Sequence, residues 1–258
     1  MLELAPPPGQ PAGSRLVFLH GLFGQGRNWN TLGRQLSATH RVSLVDLPNH
    51  GRSAWTDHID YLDMADQVAE LVSTDDPVTV VGHSMGGKVA MVLALRHPGL
   101  VARLVVVDMS PVGYDNLREF TGYVDALASI DLAKITRRTD AEAQLAARVD
   151  SPSIRSFLLQ NLTHDAAGWA WRANLDVLGR DLGVIGGWPA EQVKDLAPYD
   201  GPVLWVAGER SSYIRPEYAE AMARYFPKYR KVTIKNASHW VHSDQPEVFA
   251  DVLRQFIS

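Results

Sequence analysis

The run Val80-Val81-Gly82-His83-Ser84-Met85-Gly86-Gly87-Lys88-Val89-Ala90 restricts the fold of this chain more than any other stretch. An apolar strand leads into a serine set between glycines, and a helical pattern follows at once. A Gly-x-Ser-x-Gly at a strand-to-helix corner is a nucleophile elbow, a sharp turn that lifts the serine hydroxyl out of the sheet. The glycines answer a need for space. A side chain at 82 or 86 would strike the neighbouring strand or helix, and the strained turn tolerates little else. The flanks carry most of the weight. Val78 to Val81 read as a buried parallel strand, and Val89, Val92, Leu93 and Leu95 give the next helix an apolar side.

The same alternation runs through most of the chain and predicts a mostly parallel sheet covered on both faces. Strands are expected at Leu16 to His20, Val42 to Asp46, Val78 to Val81, Leu104 to Asp108, Val203 to Ala207 and Lys231 to Ile234. Helices are expected near Asn28 to Leu36, Tyr61 to Ser73, Met85 to His97, Glu217 to Tyr225 and Pro246 to Phe256. Leu2 to Leu4 reads as an edge strand. Between Asp108 and Pro202 the alternation breaks, and the patterns are helical (Leu127/Ile130, Ile154/Phe157/Leu158, Trp171/Leu175/Leu178/Leu182). Residues 1–110 and 201–258 thus form an α/β core, and residues 111–200 a helical cap inserted before the penultimate strand. A cap there covers the carboxyl edge of the sheet, where open α/β sheets bind ligands.

Length and composition fit one such domain with an insertion: 258 residues, 46% hydrophobic and 21% charged. A net charge of −4 supports neither nucleic acid nor an anionic membrane surface as partner. With no cysteine, disulfides, thiolate catalysis and Cys-ligated zinc are excluded. No signal-peptide pattern or membrane span is read, so a cytoplasmic protein is expected.

A serine hydroxyl needs a base within hydrogen-bond reach and a third group to orient that base. Among nine histidines, His239 in Asn236-Ala237-Ser238-His239-Trp240-Val241-His242 is the candidate base. It follows the last strand and leaves room for the helix that Pro246 opens. His242 is a pocket or structural residue, and His83 is held too tightly by the elbow to serve. For the acid, the loop after the penultimate strand reads Gly208-Glu209-Arg210-Ser211, with serine where an aspartate is usual. Asp108, ending the strand beside the one that carries Ser84, is the substitute; Asp176 and Glu209 are the alternatives. The oxyanion needs two backbone N–H donors. Met85 supplies one, and the loop His20-Gly21-Leu22-Phe23-Gly24 the other, from Leu22 or, as second choice, Phe23. Phe23 and Trp240 are the candidate substrate-binding side chains. Asp46-Leu47-Pro48-Asn49-His50-Gly51-Arg52-Ser53 reads as a structural turn that buttresses the site and supplies no reacting group; Asp46, His50 and His58 match no standard metal-ligand spacing.

These motifs resemble the α/β-hydrolase superfamily and, within it, the YbfF-like esterases. The resemblance spans nearly the whole chain: His20 to Gly24, Asp46 with Asn49-His50-Gly51 and Ser53, Gly82 to Lys88, Asp108-Met109-Ser110-Pro111, Trp171-Arg172-Ala173-Asn174, and His239-Trp240-Val241-His242. It implies a serine esterase without cofactor or metal, acting on small-molecule esters or thioesters, and an acid from the earlier strand, in agreement with Asp108. A carbon–carbon bond hydrolase, a perhydrolase or a non-catalytic ligand-binding protein are the rival uses of one scaffold. The chain departs at Glu209-Arg210, where relatives read Gly-Asn and a changed pocket rim is expected. It departs again at Ser238, where glycine is usual and a tighter base loop is expected.

Overall fold

The computed structural model describes residues 1–9 and 12–258. The described residues form nine strands: β1 (Leu2–Leu4), β2 (Arg15–Leu19), β3 (Arg41–Val45), β4 (Val78–His83), β5 (Val101–Val107), β6 (Leu162–Asp165), β7 (Gly168–Trp171), β8 (Val203–Gly208) and β9 (Tyr229–Ile234). Seven of them form one sheet in the order β1-β3-β2-β4-β5-β8-β9. Every neighbouring pair in it is parallel except β1 with β3, which pair antiparallel with Leu2 opposite Leu44. The elbow strand β4 sits at the centre, with β5 beside it.

The central strands are continuous apolar runs because both faces are covered. Successive residues go to opposite cores, as the period of two requires. Val17, Val80, Leu104, Val106 and Trp205 join one core, with α2 (Tyr61–Ala69), α3 (Met85–Arg96) and α10 (Ala219–Tyr225). Phe18, Val81, Val105, Val107 and Val206 join the other, with α1 (Asn30–Leu36), α11 (Val241–Asp244) and α12 (Pro246–Ile257). Helix α2 starts where the Asp60 carboxylate accepts the N–H groups of Leu62 and Asp63. It ends at Ala69, short of Ser73, where single turns lead the chain towards β4.

Between β5 and β8 lie α4 (Arg118–Ala128), α5 (Arg138–Ala146), α6 (Pro152–Leu159), α7 (Leu175–Arg180), α8 (Leu182–Gly186) and α9 (Ala190–Val193). The expectation of an all-helical excursion is corrected here, because β6 and β7 form an antiparallel hairpin within it. Its strands have only four residues each and no run of buried apolar side chains, so periodicity carries no signal for them.

Candidate active site

Ser84 sits between β4 and α3 with φ 53° and ψ −120°, a conformation that a serine holds only when its surroundings impose it. Its N–H donates to the Val107 carbonyl (3.1 Å), which ties the elbow to β5. The glycines have the steric role expected of them. A Cβ at Gly82 would lie 2.2 Å from the Gly86 carbonyl oxygen, and one at Gly86 would lie 2.5 Å from that of His20.

Asp108 continues β5 by one ladder bond, from its N–H to the Val206 carbonyl (2.9 Å), and then turns out of the strand with φ 50°. Its carboxylate is fully buried. Oδ1 accepts the Gly208 N–H (3.0 Å), and Oδ2 accepts His239 Nδ1–H (2.8 Å) and the Ser211 hydroxyl. Ser211, where an acid is usual, is therefore a donor to the carboxylate on the neighbouring strand. His239 Nε2 lies 2.9 Å from Ser84 Oγ. A proton held on Nδ1 by Asp108 leaves the Nε2 lone pair facing the serine hydroxyl. Asp176 is exposed on α7, and exposed Glu209 accepts the Asn236 N–H (2.9 Å); neither is a hydrogen-bond partner of His239.

The imidazole is held on several sides. Tyr213 stacks on it at 4.1 Å, and His83 lies 4.7 Å away. His83 Nε2–H donates to the His239 carbonyl (2.8 Å), and burial, with the nearby His239 and His242 rings, holds its pKa well below the usual histidine range. Ser238 N–H and Oγ–H both bond to Asp244 (2.6 Å each), so the serine ties the base loop to α11. The expected change of pocket rim at Glu209-Arg210 is corrected: the pair grips the N–H and carbonyl of Asn236, where the base loop begins with φ 59°. His242 stacks on Trp29 at 4.1 Å.

The loop after β2 crosses the elbow closely enough that a Cβ at Gly21 would lie 3.2 Å from Ser84 Cβ. Gly24 N–H closes a turn onto the Gly21 carbonyl (2.9 Å), with Phe23 at φ 60°. Two buried imidazoles fasten this loop. His20 accepts the Leu47 N–H at Nε2 (2.9 Å) and donates from Nδ1 to the Gly21 carbonyl (2.8 Å). His50 accepts the Phe23 N–H at Nε2 (3.2 Å) and donates from Nδ1 to the Pro48 carbonyl (2.8 Å). Burial pushes His20 down to about 4 and His50 to about 3, so both are neutral and able to accept. From the excursion, Asn161 Nδ2–H donates to the Phe23 carbonyl (2.8 Å). Phe23 is thus engaged at both ends of its backbone. The N–H groups of Leu22 and Met85 meet no acceptor among the described residues. His50 buttresses the loop from the turn where such support is expected, whereas no local motif encodes the role of Asn161, which sequence reasoning missed.

Asp46, His50 and His58 go to separate tasks. Asp46 accepts the Gly26 and Arg52 N–H groups (2.7 and 3.0 Å), and His58 pairs at the surface with Asp57 and Asp63. No group of metal-binding side chains gathers among the described residues.

Two hollows meet at Ser84, and Leu22 and Phe120 line both. One is lined by His83, His239, Phe23, Trp240 and Phe157. The other, small and apolar, is lined by Met85, Lys88, Met109, Leu182 and Ile185 and excludes His239.

A scan of family profiles matches residues 16–252 to the alpha/beta hydrolase family. The chain is 38% identical over 251 residues to "sn-1-specific diacylglycerol lipase ABHD11" of Mus musculus, covering 94% of this chain and 80% of that protein. To "Esterase YbfF" of Escherichia coli (strain K12) it is 29% identical over 247 residues, covering 95% and 93%. Among solved structures, "Marine microorganism esterase" superposes with a TM-score of 0.91 at 32% identity, covering 99% of this chain and 97% of that one. With the elbow, the central parallel sheet and these likenesses extending over nearly its full length, the chain belongs to the alpha/beta hydrolase family.

Proposed function

We propose that this protein is a serine hydrolase cleaving esters or thioesters of apolar acyl groups through an acyl-enzyme on Ser84. One observation carries the reading: Ser84 Oγ, His239 and Asp108 form a single relay with contacts of 2.9 and 2.8 Å. His239 Nε2 takes the Ser84 proton as Oγ bonds to the substrate carbonyl carbon and the carbonyl electron pair moves to oxygen. The unengaged N–H groups of Leu22 and Met85 hold that oxyanion. Phe23 is set aside because its N–H already donates to His50. His239 then returns the proton to the leaving oxygen or sulfur as that bond breaks. Water repeats the sequence on the acyl carbon, and Ser84 leaves reprotonated. Asp108 stays ionised, fixes the tautomer and stabilises the imidazolium. This chemistry calls on no cofactor or metal.

The proton rule also orients the substrate. A leaving group that receives its proton from His239 departs into the hollow His239 lines, where Phe23 and Trp240 contact it. The acyl chain then occupies the second, apolar hollow. In this reading residues 111–200 are the cap over the core of 1–110 and 201–258, since Phe120, Leu182 and Ile185 wall the hollows. The names of the lipase and esterase relatives support an ester substrate. A cytoplasmic place is supported by the cysteine-free composition; no helix among the described residues is long and apolar enough to cross a membrane.

The test is fluorophosphonate labelling with turnover of p-nitrophenyl esters of increasing chain length, wild type beside Ser84→Ala. Labelling and turnover that vanish in the variant support the reading. Turnover that survives in Ser84→Ala refutes the mechanism, and a protein that neither labels nor turns over is a binding protein on this fold.

A further inference from the structure

Lys88 is the fourth residue of α3, fully buried, in a helix whose residues from Met85 to Leu95 are all buried. Among the described residues no carboxylate pairs with it. Its Nζ donates instead to three successive carbonyls at the end of α8, those of Ile185 (3.3 Å), Gly186 (2.6 Å) and Gly187. The ammonium also lies over the ring of Tyr114 at 4.9 Å and that of Tyr61 at 5.8 Å. Burial pushes its pKa down to about 7, so the position is costly for a cation and core packing alone would favour methionine.

What an ammonium offers here is geometry. It carries three donors on one atom and no acceptor, a set suited to gathering several adjacent carbonyls that no N–H of their own helix satisfies. Helix α8 has five residues and cannot hold itself together without tertiary support. Two more donors reach the same turn: the Tyr61 hydroxyl from α2 bonds to the Ile185 carbonyl (2.6 Å), and the Tyr114 N–H bonds to the Gly186 carbonyl (2.9 Å). This clamped turn is a wall. Leu182, Ile185 and Gly186 line the apolar hollow across from Ser84 and Met85.

We propose that Lys88 is a specificity-determining positioning residue: by clamping the end of α8 it fixes the far wall of the acyl pocket and so limits acyl-chain length. The inference rests on the serine-hydrolase reading and on the acyl chain occupying that hollow. Wild type gains about fourfold in kcat/KM per added methylene until the chain meets the wall, and falls beyond it. Releasing the wall moves the optimum to longer chains.

The experiment measures kcat/KM for p-nitrophenyl esters from acetate to decanoate in wild type, Lys88→Met, Tyr61→Phe, Ile185→Ala and Val92→Ala. Ile185→Ala enlarges the wall directly. Val92→Ala makes a cavity in the buried part of α3 away from the wall and reports general loosening. The expected result is an octanoate-to-butyrate ratio raised about tenfold in Lys88→Met and Ile185→Ala, about threefold in Tyr61→Phe, and unmoved in Val92→Ala. If Lys88→Met does not fold, Tyr61→Phe alone decides whether the clamp sets chain length. An unmoved ratio in Lys88→Met and Tyr61→Phe, or an equal rise in Val92→Ala, overturns the clamp and leaves the hydrolase reading standing. Wild type that neither labels with fluorophosphonate nor cleaves any ester overturns both.

Discussion

Replacing Asp108 by asparagine tests the relay at its least obvious member. The substitution keeps size and shape, so the structure dictates how the amide must sit. Oδ1 of Asp108 accepts the Gly208 N–H at 3.0 Å, so the amide oxygen must remain there. The NH2 group then takes the place of Oδ2, against His239 Nδ1 and the Ser211 hydroxyl. Ser211 can adapt by accepting. His239 cannot: with a donor facing Nδ1, its proton moves to Nε2 and points at Ser84 Oγ, and the base has no lone pair to use. Flipping the amide restores the tautomer but sets NH2 against the Gly208 N–H, leaving a buried donor unpaired at about 1–3 kcal/mol. Even then the imidazolium formed in the reaction lacks its carboxylate, an interaction of about 4 kcal/mol at an intermediate effective dielectric. Together the losses come to roughly 5–7 kcal/mol, about 10⁴-fold to 10⁵-fold in kcat. The assay is ester turnover at saturating substrate, with urea unfolding to verify the fold. Asp176→Asn and Glu209→Gln, both at exposed positions, should stay within about twofold of wild type. A folded Asp108→Asn that loses less than about a hundredfold would refute the argument, as would a larger loss at either exposed carboxylate.

Ser211→Ala removes one of three donors to the Asp108 carboxylate, so we expect about tenfold lower kcat with little change in KM, and about 1.5 kcal/mol lower stability by urea unfolding. A rate equal to wild type would show that the serine has no part in holding the acid. Acid should destabilise the fold through His20 and His50. Both have folded pKa values below the unfolded 6.5, at about 4 and about 3, so the unfolded chain binds more protons. Their contribution is complete above about pH 6.5 and is lost as pH falls, by about 2 kcal/mol each at pH 5. Urea midpoints that match at pH 7 and pH 5 would contradict this. Gly82→Ala places a Cβ 2.2 Å from the Gly86 carbonyl oxygen, and a loss of about 3 kcal/mol or more is expected by thermal unfolding; a variant as stable as wild type would mean that the elbow can shift.

What the residue order alone reveals is local. Strands buried on both faces need continuous apolar runs, so Val78–Val81, Leu104–Val107 and Val203–Val206 identify themselves, and their spacing implies a parallel sheet. The elbow is equally legible, because its five residues are contiguous and the collision at 82 is with Gly86 itself, although the one at 86 comes from the His20 carbonyl at the end of the neighbouring strand. The ends of two further strands supply Asp108 and the loop bearing His239, which the fold joins to Ser84 in one hydrogen-bonded line. The hairpin of β6 and β7 escapes notice, since four-residue strands with half-exposed side chains carry no period to detect. Other features are decided wholly by contacts between distant segments. His50 takes the Phe23 N–H, which favours Leu22 over Phe23 in the proposed oxyanion site; Ser211, where an aspartate is usual, donates to the Asp108 carboxylate. Lys88, which the sequence shows as a charge in an apolar helix at the end of a family motif, meets its three carbonyls almost a hundred residues away. Periodicity and steric exclusion act between near neighbours and leave their mark on the string of residues. A buried hydrogen bond is set by where two remote backbones come to rest, and only the folded chain specifies that.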